Sequence, residues 1–264
     1  MAEAARRIDR LDTAPRFTAA QADALNARFA GVATHEMLEA VIRAGLAGQI
    51  AAVSSFGAES AVLLHLIASV DPAVPVLFLD TGKHFPETLA YRDELVAQIG
   101  LTNLINLMPA ADIIAQRDES GLRWSYDPDG CCEIRKVQPL AHALTGFDAS
   151  FTGRKGFQSA TRAGLARFEI DTTDAAGRLK VNPLADWSSD QIASYFAATG
   201  LPPHPLVAQG YPSIGCSPCT SKVAAGEDPR AGRWRGWDKT ECGIHVDGAA
   251  DGAGDLPPGY DPAF

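Results

Sequence analysis

One stretch of this 264-residue chain limits its fold more than any other. Residues 50–54 (Ile-Ala-Ala-Val-Ser) form a short apolar run, followed by the turn Ser54-Ser55-Phe56-Gly57-Ala58-Glu59-Ser60. Residues 61–70 are almost wholly apolar and long enough for a helix. Residues 76–79 (Val-Leu-Phe-Leu) are apolar again and stop at Asp80-Thr81-Gly82. Apolar runs of four or five residues bounded by turn residues read as buried strands. Pro86 suits the first turn of a further helix, reaching about Gly100, and residues 104–107 make a third strand. Strand, turn, helix, strand in this order predicts a parallel sheet covered by helices, an α/β fold.

The flanks extend this pattern. Thr18 is placed to cap a helix over 19–30, with Leu25 and Phe29 on one face. Thr34 is placed to cap a second, with Met37, Leu38, Val41, Ile42 and Leu46 as its apolar stripe and Gly48 at its end. Residues 133–144 read as helical, and 149–152, 168–170 and 179–181 as short strands. Ser188-Ser189-Asp190-Gln191 matches a capping box opening a helix to about 198. From residue 201 the chain is rich in Pro and Gly. Residues 246–264 hold Asp, Gly and Pro with no Lys or Arg, and read as a mobile tail. With 23 basic against 32 acidic residues the net charge is −9, which argues against sequence-independent nucleic-acid binding. The apolar runs fall well short of the roughly 20 residues a bilayer demands. No secretory signal is readable near the start, so a cytoplasmic, reducing setting is expected.

Four groups of residues carry chemistry. The Ser54–Ser60 turn, with Ser54, Ser55, Gly57 and Ser60, offers hydroxyls, backbone N–H groups and a helix start, the parts of an anion cradle. It is neither a Walker A loop nor a dinucleotide fingerprint. Five cysteines are present: Cys131-Cys132, the C-x2-C pair Cys216 and Cys219, and Cys242. In a reducing compartment they read as metal ligands or catalytic thiols, and four would make a metal site with one left over; a thioredoxin-like C-x2-C redox pair and unrelated buried thiols are the other readings. Chemistry alone leaves zinc and an iron–sulfur cluster both open, although two adjacent cysteines on one tetrahedral zinc would be awkward. Cys242 has Lys239 and His245 each three residues away, and both would favour a nucleophilic thiolate. Arg154, Lys155, Arg162 and Arg167 form a basic loop. Arg230 and Arg233, three apart, would share one face of a helix. Arginines clustered in an acidic protein point to a small anionic substrate.

Taken together, these segments resemble the assimilatory phosphosulfate reductases, specifically the adenylyl-sulfate (APS) reductases, over about residues 50–245. The resemblance rests on the 54–60 turn, Asp80-Thr81-Gly82 with Phe85-Pro86-Glu87-Thr88, Cys131-Cys132-x3-Lys136 and Val181-Asn182-Pro183-Leu184. It rests also on Tyr211-Pro212-Ser213-Ile214-Gly215-Cys216-x2-Cys219-Thr220, Gly232-Arg233-Trp234 and Glu241-Cys242-Gly243-Ile244-His245. It implies an adenine-nucleotide hydrolase-like sandwich with a mobile carboxy-terminal segment. The expected division is N-terminal helices over 1–48, a nucleotide-binding, cluster-bearing domain over 49–225, and a segment over 226–264 that carries the nucleophile.

The resemblance further implies a 4Fe-4S cluster on Cys131, Cys132, Cys216 and Cys219, with Cys242 as nucleophile. Lys136, Arg162, Arg230, Arg233 and His245 become candidate substrate contacts beside Ser54, Ser55, Gly57 and Ser60. Thioredoxin or a glutaredoxin-like protein is the expected reductant, adenylyl sulfate the substrate, and a homo-oligomer is left open. Sister enzymes acting on 3′-phospho-APS (PAPS) generally lack the four cluster cysteines, so APS is the expected substrate, with PAPS or dual use as the alternative. An iron–sulfur tRNA-thiolation enzyme and a zinc-stabilised binding module are more distant alternatives. Relatives usually show Arg-Arg-x-Gln-Ser in the basic loop. Here it is Arg154-Lys155-Gly156-Phe157-Gln158-Ser159, which leaves the roles of Arg154 and Lys155 open.

Overall fold

The computed structural model describes residues 16–158, 162–174 and 176–244. Six strands form one sheet in the order β3-β2-β1-β4-β6-β5. They are β1 (Ile50–Ser54), β2 (Val76–Leu79), β3 (Leu104–Leu107), β4 (Ala149–Phe151), β5 (Phe168–Ile170) and β6 (Leu179–Val181). Every pairing is parallel except β5 with β6, where Glu169 lies opposite Lys180 in antiparallel register. The expected parallel α/β sheet is therefore present, with one antiparallel edge.

The central strands are apolar because both faces are covered. β2 is buried along its whole length, and so is β4. The eight α-helices are α1 (Ala19–Arg28), α2 (Thr34–Arg43), α3 (Ser60–Val70), α4 (Pro86–Ile99), α5 (Ala111–Arg117), α6 (Pro128–Cys132), α7 (Gln138–Leu144) and α8 (Ser189–Thr199), counted among the described residues. The main core joins Met37, Leu38 and Val41 of α2 to Leu64 and Ile67 of α3 and to Phe78 and Phe151 of the sheet. A smaller cluster on the other face holds Ala51, Leu77, Leu79, Leu140 and Leu144, with Ile244 packed against it.

Most predicted elements appear within a residue or two, and the exceptions have visible causes. Thr18 and Ser188 both close capping boxes, with Gln21 and Gln191. Thr34 does not cap α2: its hydroxyl donates to the Pro183 carbonyl and accepts from Trp187 Nε1 at 2.8 Å. That helix ends at Arg43, before Gly48, and Gly45 takes the left-handed turn first. The helix expected over 133–144 is interrupted by a π-helical turn, Glu133–Val137. α5 carried no periodic signal strong enough to read.

The strand order places β1 and β4 side by side while their connections leave in opposite directions. In open parallel sheets, ligands bind in the crevice at such a switch point, outside the carboxyl ends of the strands. The 54–60 turn follows β1 and the basic loop follows β4, so both open onto that crevice. Among the described residues no helix is long and apolar enough to cross a membrane.

Candidate active site

The turn after β1 is strained. Phe56 is fully buried at φ 48°, a conformation that bulky residues rarely adopt. Its N–H donates to Ser54 Oγ at 3.1 Å, and its ring meets Phe78 edge-on. Ser54 is thus a buried turn-former. Ser60 Oγ donates to the Gly57 carbonyl at 2.7 Å, while Ser55 stays exposed.

A second cavity wall is built from distant segments. Cys131, Cys132, Cys216 and Cys219 line it together with Thr81, Lys83, Trp124, Arg135, Lys136 and Trp234. Three local devices bring them there. Asp127 caps α6 by accepting from the Gly130 N–H at 2.8 Å. The π-helical turn then widens the backbone so that Arg135 and Lys136 both reach the cavity. Ser217 N–H donates to the Lys83 carbonyl at 2.8 Å, and Thr81 Oγ1 lies 3.3 Å from Cys216 Sγ, which ties the C-x2-C turn to the end of β2. Gly215 lets the Arg233 guanidinium lie against the backbone: a Cβ would fall 2.3 Å from one of its nitrogens and push that side chain aside.

All five cysteines are free thiols. Among the described residues no three His, Cys, Asp or Glu side chains are arranged to hold a single metal ion. The four wall thiols differ electrostatically. Burial pushes Cys132 and Cys219 up to about 11 and raises Cys131 as well. Burial would raise Cys216 too, but Lys136, the Thr81 hydroxyl and Arg233 outweigh it and favour its thiolate. Burial alone would lower the Lys136 ammonium; Cys216, Cys242 and Cys132 reverse this and hold it above the ordinary lysine value. Two buried donors on this side have no partner, Arg233 Nε and Trp234 Nε1. Buried orphan donors are rare enough to require an acceptor. A thiol-rich wall with unpartnered donors and two cations fits an anionic sulfide-bearing group, and all-cysteine ligation is the usual form for a cubane cluster.

Cys242 is half-buried next to this wall, and it acts electrostatically on Lys136, Arg233 and Cys132. Lys239 does not serve it: its ammonium pairs with Asp129 and lies over the Trp234 ring. The positive charge beside the thiol comes from Lys136 and Arg233. His245 and Ser159 lie outside the described residues.

The arginines separate into two groups. Arg154 is buried against Glu169 (2.7 Å) and Asn182, and Arg167 pairs with Asp186 at 2.7 Å. Arg154 is an internal brace, and Arg167 is a brace at the surface that also donates to the Val32 carbonyl. Lys155 Nζ is 2.9 Å from Glu59 of the 54–60 turn. Arg162 reaches Glu241 at 2.7 Å, and Arg230 reaches the same carboxylate at 3.3 Å. Arg230 and Arg233 do not share a helix face. They sit on successive turns, where Arg233 bridges Thr220 and points to the Ile214 carbonyl while Arg230 turns toward Thr240. Residue-type reasoning gave no role to Thr81, Arg135, Trp234 or Glu241. Arg135 holds Asp118 with two hydrogen bonds, at 2.6 and 3.1 Å, and donates to the Thr81 carbonyl at 2.8 Å. Its position between Cys132 and Lys136 was the only available signal.

Residues 49–222 match the model of the phosphoadenosine phosphosulfate reductase domain. The chain belongs to the phosphoadenosine phosphosulfate reductase family. Similar proteins within it include the adenosine 5′-phosphosulfate reductase of Mesorhizobium japonicum, 49% identical over 92% of this chain and 94% of the relative. The enzyme of that name from Chelativorans sp. is 50% identical over 85% of this chain and 90% of its own. Among solved structures, the phosphoadenylyl-sulfate reductase from Candida auris in its phosphate complex aligns with TM-score 0.64 at 25% identity, covering 78% of this chain and 98% of that one. The FMN adenylyltransferase of Candida glabrata shares the fold alone, with TM-score 0.51 at 15% identity. Membership of this reductase family sets the chain among oxidoreductases, apart from tRNA-thiolation enzymes and binding modules.

Proposed function

We propose that this protein reduces adenylyl sulfate to sulfite and AMP, in assimilatory sulfate reduction, with a dithiol protein such as thioredoxin as electron donor. The observation that carries this reading is the placing of the Cys242 thiol within electrostatic reach of Lys136 and Arg233, beside the four-cysteine wall. The names of the relatives at 49% and 50% identity point the same way.

In the first step the Cys242 thiolate attacks the sulfur of the bound sulfuryl group. The S–O bond to AMP breaks, AMP leaves with that electron pair, and Cys242 carries an S-sulfonate. Lys136 and Arg233 neutralise the anion and aim it at the thiol, which is the main demand when the leaving group is already a stable phosphate anion. The 54–60 turn holds the nucleotide end. In the second step a reductant thiolate attacks Cys242 Sγ. Sulfite leaves with the S–S electron pair, and a mixed disulfide remains. The reductant's second thiol resolves it, so two thiol electrons take sulfur from the sulfuryl to the sulfite state. Cys131, Cys132, Cys216 and Cys219 would hold a 4Fe-4S cluster, which would supply fixed charge on the Lys136 side of the site and would tie α6 to the C-x2-C turn. A cytoplasmic setting keeps all these thiols reduced.

PAPS is the rival substrate, because a relative from Gloeobacter violaceus 44% identical over 73% of this chain is named a phosphoadenosine 5′-phosphosulfate reductase. The test is sulfite release under matched thioredoxin. A higher kcat/KM with APS than with PAPS is expected. The reverse ratio would move the protein to PAPS reduction, and no sulfite from either would end the reading.

A further inference from the structure

The segment bearing Cys242 is held by a chain of polar contacts that the reduction chemistry above does not use. Glu59, in the turn after β1, accepts from Lys155 Nζ at 2.9 Å and from Gln158 Nε2 at 3.1 Å. Gln158 Oε1 in turn accepts from Arg162 at 2.6 Å, and Arg162 donates to Glu241 Oε1 at 2.7 Å. Arg230 closes the other side, lying 3.3 Å from the same carboxylate oxygen and donating to the Thr240 carbonyl at 2.7 Å. Gly243 lies close over Val137, and Ile244 packs on the small apolar cluster of the sheet. Cys242 is therefore fixed from both sides, by a shared carboxylate before it and an apolar anchor after it.

The cations divide accordingly. Glu241 occupies Arg162 and Arg230, whereas Arg233 keeps a buried Nε without a partner and Lys136 faces the thiols. We propose that Glu241 is a positioning residue: its carboxylate, clasped between Arg162 and Arg230, seats the Cys242 thiol at the site. On this view Arg162 and Arg230 act on the nucleophile's segment, and the anion is left to Lys136 and Arg233. The kinetic arm of the inference rests on the APS reading; the clasp itself does not.

An ion pair that is partly exposed on both sides weakens with salt, whereas apolar packing does not. The test is the rate at which iodoacetamide alkylates Cys242 in the full anaerobic protein, read by mass spectrometry of the Cys242 peptide and needing no substrate. Glu241→Ala should raise that rate by about five- to tenfold, Glu241→Gln by less, and Glu241→Asp least. In wild type the rate should climb between about 0.05 and 0.5 M NaCl, and in Glu241→Ala that climb should vanish. Exchanging the charges, Glu241→Arg with Arg162→Glu, should recover part of the protection lost in either single variant. With APS, Glu241→Ala should lower the single-turnover S-sulfonation rate about tenfold while KM holds or falls, since two arginines are freed. Equal alkylation in wild type and all Glu241 variants, or a KM rise with unchanged kcat, would overturn the clasp. A protected, salt-sensitive Cys242 in a protein that makes no sulfite would instead uphold the clasp and sink the APS reading.

Discussion

The sheet and the segment over residues 226–244 are held by different forces. Around β1, β2 and β4 the contacts are apolar and closed to water: Phe56, Phe78 and Phe151 are fully buried. Around Cys242 they are ionic and half open: Arg162 and Arg230 on Glu241, Lys239 on Asp129, with Ile244 as the apolar anchor. Apolar packing is non-directional and insensitive to salt. Partly exposed ion pairs are weak singly and screened by salt. The difference would suit the proposed reaction, in which one thiol meets a bound anion and then a reductant protein. A closed sheet would keep the crevice constant, while an ionic, half-open segment could be released with little cost elsewhere.

The contrast is broken most severely at the cysteines. Cys242→Ser should lower sulfite production about a thousandfold or more, because a serine hydroxyl at neutral pH is scarcely ionised. Its thermal unfolding, and the brown colour expected of the proposed cluster, should match wild type. Cys216→Ser should lose colour, iron and activity together, checked by iron and acid-labile sulfide content per chain. Zinc at one equivalent without sulfide would refute the cluster.

Next in size comes the sheet. Phe151→Ala should lower stability by about 3–5 kcal/mol, since the side chain is fully buried on a central strand. Ile244→Ala removes the half-buried apolar anchor of the Cys242 segment. It should change global stability by less than about 1 kcal/mol and still raise Cys242 alkylation. Denaturant melts and the alkylation assay, run on the same preparations, check both.

Much of the sheet side was legible in the sequence. β1, β2 and β3 are apolar runs with turn residues at each end, and Thr18 and Ser188 carry a complete capping signature. The four cysteines that share a wall were legible as a group through their C-C and C-x2-C spacing. What escaped was anything decided by partners far along the chain. The Thr34 hydroxyl bonds Pro183 and Trp187 in place of a cap, and Arg154 and Arg167 are braces for acids that a linear reading cannot pair with them. Glu241 stood in a recognisable motif, yet only the fold brings Arg162 to it. The predicted tail beyond Ile244 lies outside the described residues.

A smaller effect belongs to the buried His204. The Leu206 N–H donates to its Nδ1 at 3.2 Å, which leaves Nε2 as the donor to Thr88 Oγ1 at 3.1 Å. Burial depresses its pKa from 6.5 to about 4, against a smaller upward pull from Glu87. The unfolded chain therefore takes up a proton between pH 6.5 and about 4 that the folded one refuses. This contribution is complete above pH 6.5 and is lost as pH falls toward 4, lowering Tm by a few degrees. His204→Gln should flatten that acid limb, and the Cys242 alkylation rate should not follow it.

The central claim is that Cys242 takes the sulfuryl group. Wild-type protein given APS without reductant, then analysed by intact mass and peptide mapping, tests it most directly. The account predicts a gain of one SO3 group, confined to the peptide containing Cys242, and its removal by reduced thioredoxin with one sulfite released per adduct. No adduct, or an S-sulfonate on Cys216 or Cys219, would contradict it.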